Sequence, residues 1–446
     1  MSASGLHDYQ NADSLLLTLV SLQRWTPFYW EQNRFGMLIP LLARPLHHPL
    51  ANLVAQAWLA TVAALLAPYL VARCLTKEKT DWLAVGAMTN TLLVVFAPPA
   101  VRFDWFVTQP YSLAITLAFG ALLILERPGY IRSAIGAMLM VLAHWVNVSA
   151  FVLIVPAIVV MRRLTVRSLA ATATGMGGGL VFAALSSAPH TTAGIAPFST
   201  WPHGWAELLS RTASSAIQHP GWLAFVLVAT IAAAALSISR GEYASIWAAG
   251  AAILLAVEYW LAVGGSKWVE LNVYLPRYVY PSLLLLGVGL SILLVSPLLG
   301  ILSQHGRYRA TPAMAFFAAV VLVHGLPSIS RVRRHVEDDF SRLTPEILAT
   351  RARVIAGDYW TVWPSVFHAN LALYERTGHI GVYGLTYRSA ETDPLWCDAE
   401  DVLLAAASQD RAVGVFADRI TLSLRFLEHR QTVDLFLAGP CRGMLR

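Results

Sequence analysis

Carboxylates and arginines gather in the loops between the long apolar runs of this chain. Asp8, Asp13, Glu31 and Arg34 precede the first run, Arg102 and Asp104 share a later loop, and Lys267 and Arg277 flank a third. Carboxylates and cations are the side chains that move protons and hold phosphates. An arginine at a helix entrance within an aromatic stretch, as in Leu275-Pro-Arg-Tyr278, suits a lipid phosphate. Each residue also has a plainer use. Asp13 opens a helical pattern and can cap it. Glu31 and Arg34 can pair across a turn, and Arg102 can pair with Asp104 in a solvated loop. Lys267 suits snorkelling to head groups.

Other polar groups fall inside or at the edges of the apolar runs. Glu258, in Val257-Glu-Tyr-Trp260, costs ~2.5–3.5 kcal/mol at mid-helix if unpaired, so it either meets a cation or lines a polar cavity. His144 and His324 fall near helix ends, where a histidine packs through hydrogen bonds or touches substrate. The histidines have no spacing that specifies a metal.

Lipid is the solvent for most of this chain. Of its 446 residues, 57% are hydrophobic and 13% charged, against about 25% charged in a soluble protein. The net charge of +6 is not gathered on a soluble face, which excludes a nucleic-acid partner. Instead Arg73, Lys77, Lys79, Arg127, Arg132, Arg162, Arg163, Arg167, Arg240, Arg307 and Arg309 occupy alternate loops. Cytoplasmic loops collect Lys and Arg, so the acids, histidines and tryptophans of the other loops belong to the outer face.

Apolar runs over residues 50–71, 82–97, 110–125, 169–186, 222–238, 244–263, 279–294 and 312–326 predict membrane spans. Residues 133–161 predict a hairpin turning at His144-Trp-Val-Asn147, because one long helix would put Arg162, Arg163 and Arg167 outside. About ten crossings result. The small residues of Gly175-Met-Gly-Gly-Gly179 suit close helix packing, not a phosphate loop.

Residues 1–49 then form an extracytoplasmic segment, with no signal peptide to carry it. The expectation is an upstream first helix, or direct translocation of a short tail. Leu15, Leu16, Leu19 and Leu22 recur at helical spacing and predict an interfacial amphipathic helix. Trp25, Phe28, Tyr29 and Trp30 read as an aromatic belt. Residues 50–327 form the transmembrane domain. Residues 328–446 have mixed composition and predict a small extracytoplasmic α/β domain, with strands over 380–385 and 413–416 and helices over 343–355 and 399–407. Cys397 and Cys441 can pair there, while Cys74 stays reduced. Tyr359, Trp360 and Trp363 either stack on a sugar or form that domain's core.

An acid opening the first outer loop, an interfacial helix, and an aromatic and acidic stretch before the next span resemble the GT-C superfamily of integral membrane glycosyltransferases. That family includes lipid A aminoarabinose transferases and protein mannosyltransferases. The many-span body with a C-terminal domain is similar too, and the family's first helix matches the one expected upstream. The resemblance implies sugar transfer from a polyprenyl-phosphate carrier to an extracytoplasmic glycan, lipid or protein, by single displacement, in a bacterial inner membrane. It implies Asp13 as base with Asp8 as the alternative, and Asp104 near the acceptor or a divalent metal. Glu31 would assist as second carboxylate or metal ligand. Arg277, Lys267, Arg34, Arg102, His144, Glu258 and His324 remain for substrate or lipid phosphate. The competing functions are a flippase or transporter of a lipid-linked sugar and a noncatalytic assembly protein.

Overall fold

The computed structural model describes residues 10–30, 35–76, 81–96, 111–161, 165–185, 197, 200–217, 220–241, 243–302, 315–316, 318–319, 327–386, 392–397, 402–407 and 422–439. Its largest part is an apolar helical bundle: α3 (Pro49–Leu75), α4 (Asp81–Phe96), α5 (Tyr111–Leu125), α6 (Tyr130–Val146), α7 (Ala150–Met161), α8 (Val166–Leu185), α10 (Pro220–Ser239), α11 (Tyr243–Gly264) and α13 (Tyr280–Leu302). Among the described residues, Pro49–Leu75, Tyr243–Gly264 and Arg277–Ser296 are long and apolar enough by themselves to cross a membrane. The run at 312–326 falls mostly outside the described residues.

The hairpin expected at 144–147 is present. α6 stops at Asn147, whose extended backbone and Oδ1, accepting from the amide and hydroxyl of Ser149, start the return through α7. α8 packs on α6 through its glycines. A Cβ on Gly175 would lie 2.6 Å from the Ala137 carbonyl, and one on Gly179 would lie 2.5 Å from His144 Cβ. The basic turns meet at one end of the bundle. The Arg167 guanidinium lies 4.1 Å from the centre of the Tyr130 ring, and Ser168 Oγ donates to the Leu125 carbonyl at 2.7 Å.

At the other end sits the first segment. α1 (Ala12–Leu22) is capped by Asn11, not Asp13: Asn11 Oδ1 accepts from Ser14 N and Asn11 N donates to Ser14 Oγ, both at 3.1 Å. The apolar stripe of this helix packs against protein. Leu15, Leu16, Leu19 and Val20 are buried, and α1 packs against α3 and against the tail helix α16 (Tyr359–Thr377). Phe28, Tyr29 and Trp30 are likewise buried, so they are not an exposed belt. An apolar stripe buries against protein as readily as against lipid, and its period is the same in both cases. α2 (Leu38–Ala43) follows, and Asn52 Nδ2 ties α3 back by donating to Ser21 Oγ, Ala43 O and Leu46 O at 2.9–3.0 Å.

The tail carries α14 (Ile329–Phe340), α15 (Thr344–Thr350), α16 and a five-stranded sheet of order β2-β1-β3-β5-β4. β1 (Val354–Ala356) pairs in parallel with β2 (Tyr383–Leu385) and β3 (Val402–Ala407), while β5 (Val433–Ala438) runs antiparallel to β3 and β4 (Leu424–His429). Two expected helices are corrected. The helix over 343–355 ends at Arg351 in a left-handed turn (φ 61°) and yields to β1, and the described part of the segment at 399–407, Val402–Ala407, forms β3. Its Leu- and Ala-rich composition favours helix locally, but β3 takes backbone bonds from β1 on one side and β5 on the other, and pairing overrides propensity. The expected strand at 413–416 lies outside the described residues.

One buried core joins the first segment to the tail: Leu15, Leu16, Leu19 and Trp30 pack with Val332, Tyr359, Trp363 and Phe367. Trp363 is therefore core, with the Trp30 and Trp363 ring centres 5.6 Å apart.

Candidate functional site

Asp13 is in the first turn of α1, where Asn11 accepts from the Ser14 amide and leaves the Asp13 carboxylate to other partners. Three elements distant in sequence converge on it. Tyr359 Oη donates to Asp13 Oδ1 at 2.6 Å from the first turn of α16. Tyr29 Oη lies 2.6 Å from Tyr359 Oη and 3.4 Å from Asp13 Oδ1. Arg277 Nη1 lies 3.5 Å from Asp13 Oδ2, with both side chains about four-fifths buried (18% and 20% exposed).

Each partner is positioned by its own surroundings. Asp358 caps α16 by accepting from Trp360 N at 2.9 Å, which fixes the turn carrying Tyr359. Gly36 sits against the Trp145 carbonyl with no room for a Cβ, and its amide donates to Val146 O, which seats the loop carrying Tyr29 on the hairpin turn. Arg277 belongs to a 3-10 turn, Pro276–Val279. Its Nη2 donates to Asn272 Oδ1 at 3.4 Å and to Tyr278 Oη at 3.2 Å, and Tyr278 Oη also accepts from Trp268 Nε1 at 2.8 Å. The preceding residues Val273 (φ 49°) and Tyr274 (φ 54°) are held in the left-handed region. Such strain in a β-branched residue persists only where the surroundings impose it.

The other sequence-selected residues disperse. Lys267 pairs with Glu270 at 2.9 Å within α12 (Lys267–Leu271), a local contact and not a part of the Asp13 cluster. His144 is fully buried; its Nδ1 donates to Met140 O at 2.8 Å, and its Nε2 has no hydrogen-bond partner among the described residues. Glu258 has a buried Oε2 with no partner among the described residues. Asp8, Glu31, Arg34, Arg102, Asp104 and His324 lie outside the described residues. Cys397 is disulfide-bonded and Cys74 is a buried thiol whose Sγ donates to Phe119 O at 3.7 Å; Cys441 lies outside the described residues. Among the described residues, no group of three or more His, Cys, Asp or Glu comes together to hold a metal.

Sequence reasoning missed the tyrosines as partners of Asp13. It also missed α9 (Trp201–Ile217), an amphipathic helix packed on α11 and the Arg277 turn. Its apolar spacing at Trp201, Trp205 and Leu208 was the available signal. The arrangement places a carboxylate and a guanidinium side by side, in a setting built from both ends of the chain. Such a pair can accept a proton at one group and hold an oxyanion at the other.

No family model matches this chain. No curated protein matches it either. Among solved structures it is similar to the crystal structure of ArnT from Cupriavidus metallidurans bound to undecaprenyl phosphate. The likeness has a TM-score of 0.52 at 10% sequence identity and covers 98% of this chain and 95% of that one. The chain thus has an ArnT-like fold, that of a polytopic membrane protein with a C-terminal domain, as the GT-C resemblance implied.

Proposed function

We propose that this protein is a membrane glycosyltransferase that moves a sugar from a polyprenyl-phosphate carrier to an acceptor at the outer face of a bacterial inner membrane. The meeting of Asp13 and Arg277 at one site carries this reading, because single displacement needs a proton acceptor and an anion holder within reach of the same donor. The fold shared with ArnT, crystallised with undecaprenyl phosphate, supports a lipid-phosphate partner.

In the proposed reaction the acceptor oxygen or nitrogen attacks the anomeric carbon. The bond from that carbon to the phosphate oxygen breaks, and its electron pair leaves with the polyprenyl phosphate. The acceptor proton passes to Asp13 Oδ2 and then to water. Arg277 leaves Asp13 for the donor phosphate, which frees Oδ2 for that proton and stabilises the charge on the leaving oxygen. Tyr359 and Tyr29 hold Oδ1, so the carboxylate stays oriented when the arginine moves. Asp8, Glu31 and Asp104 are proposed to assist, with Arg34, Arg102 and His324 as secondary contacts; all six lie outside the described residues. Residues 1–49 and 328–446 are proposed to lie together outside the membrane around residues 50–327.

The test is transfer in liposomes. Full-length protein receives radiolabelled undecaprenyl-phosphate sugars with lipid A, cell-wall polymer and peptide acceptors. A covalent glycosyl product is the expected result. Sugar lipid crossing the bilayer with no new bond formed overturns the reading in favour of a transporter.

A further inference from the structure

Two buried oxygens on helices that pack together have no hydrogen-bond partner among the described residues: Oε2 of Glu258 on α11 and Oγ1 of Thr212 on α9. The contact faces are fixed by several close approaches. Gly265 leaves room for the Trp201 indole, Gly204 abuts the Gly264 carbonyl, and Trp205 Nε1 donates to Leu261 O at 2.9 Å. Thr212 lies about two helical turns beyond Trp205, and Glu258 about two turns before Gly265. By helical spacing Glu258 lies on the face of α11 that carries Leu261 and Gly265, and Thr212 on the face of α9 that carries Trp205. The Arg277 turn touches α9 and α11 alike.

The described neighbours do not satisfy these groups. Arg211, beside Thr212, is engaged by Glu207 at 2.8 Å. Tyr259, beside Glu258, points its hydroxyl to Ser149 Oγ, 3.3 Å away, on a different face of α11. A carboxylate placed in a membrane-spanning helix without a cation calls for a ligand rich in hydrogen-bond donors.

We propose that Glu258 and Thr212 form the subsite for the sugar ring of the lipid-linked donor. The ring is a polyhydroxy or amino sugar whose O–H or N–H groups donate to Glu258 Oε2, with Thr212 Oγ1 as a second polar contact. The placement follows from chemistry: the sugar is bonded directly to the phosphate, so its pocket must adjoin the phosphate-holding group. The inference rests on the reading of Arg277 as that group.

The test measures binding to full-length protein in lipid nanodiscs. The probes are undecaprenyl phosphate alone and undecaprenyl phosphate bearing a hexose, a pentose or an amino pentose. Wild-type protein is expected to bind at least one sugar-bearing lipid about tenfold more tightly than the bare lipid phosphate. Glu258→Leu and the near-isosteric Thr212→Val should each erase that preference while changing affinity for undecaprenyl phosphate less than about twofold. Glu258→Gln should erase a preference for the amino pentose but keep part of one for a hydroxyl-only sugar, which separates the two ligand chemistries. A preference that survives Glu258→Leu and Thr212→Val overturns the subsite, as does equal weakening toward every lipid. Wild-type protein that binds the bare lipid phosphate with no sugar preference also overturns it, but leaves the glycosyltransferase reading standing. Wild-type protein that binds none of these lipids removes both.

Discussion

The phenol of Tyr359 donates a 2.6 Å hydrogen bond to the carboxylate of Asp13, across 346 positions of sequence. Helix α1 supplies the acid and the tail domain supplies the group that orients it. The candidate centre therefore exists only when both ends of the chain are folded together.

Replacing Asp13 with Asn keeps the shape of the side chain but removes its capacity to take a proton. Transfer should fall by about 10²–10⁴-fold, the usual contribution of a general base. Membrane insertion and the melting profile should stay close to wild type. Undiminished product formation in the liposome assay would remove Asp13 from the mechanism.

Tyr359→Phe deletes the shortest bond to Asp13 and the contact with Tyr29 Oη. The expected loss is about 1 kcal/mol of stability with a fall in kcat and little change in KM for the donor. Adding Tyr359→Phe to Asp13→Asn should cost far less than it does alone, because groups acting as a unit are non-additive. Additive losses in that cycle would mean that the tyrosine acts elsewhere.

Arg277→Lys retains charge but loses the planar fork that reaches Asp13, Asn272 and Tyr278 together. Donor KM should rise by about tenfold or more, since a lysine cannot reproduce a bidentate phosphate contact. The check is steady-state kinetics at varied undecaprenyl-phosphate sugar, and an unchanged KM contradicts the assignment.

Asn370 fastens α16 to the strand behind it. Its Oδ1 accepts from the amides of Gly381 and Val382 at 2.9 and 3.0 Å, and its Nδ2 donates to Val366 O and Val382 O. Asn370→Ala strands these buried groups and should cost about 2–4 kcal/mol. Transfer should fall with it, because α16 presents Tyr359. Limited proteolysis showing an intact tail with normal activity would refute this coupling.

Burial holds the His368 imidazole below its ordinary value of 6.5, against the opposing pull of Glu337 and Glu375. The folded tail thus binds this proton more weakly than the unfolded chain does. The stabilising contribution is complete above 6.5 and is lost as pH falls through the window beneath it. Melting temperature should decline on acidification through that window, and His368→Gln should flatten the decline. A wild-type and variant profile that run parallel would exclude His368 as the source.

How much of this was legible in the sequence depended on distance along the chain. Asp13 and Arg277 could be selected because each stands beside a local helix signal in a loop placed by the charge rule. Their contact could not, since no local pattern records that residue 277 folds back onto residue 13. Tyr359 looked like one member of an aromatic cluster, and only the packing of α16 on α1 gives its hydroxyl a partner. The hairpin at Asn147 was readable because arginines just beyond it demanded a second crossing. β3 was not, because Leu and Ala favour helix until strands on both sides take up the backbone.

The shared core of α1 with α16 also sets an order of events during synthesis. At about 5–20 residues per second, a ribosome needs roughly 20–70 s to travel from α1 to α16. Throughout that time the face of α1 that meets α16 lacks its final covering, while α3 is already available to the rest of it. The bond that orients the Asp13 carboxylate is thus completed only in chains whose synthesis reaches the tail.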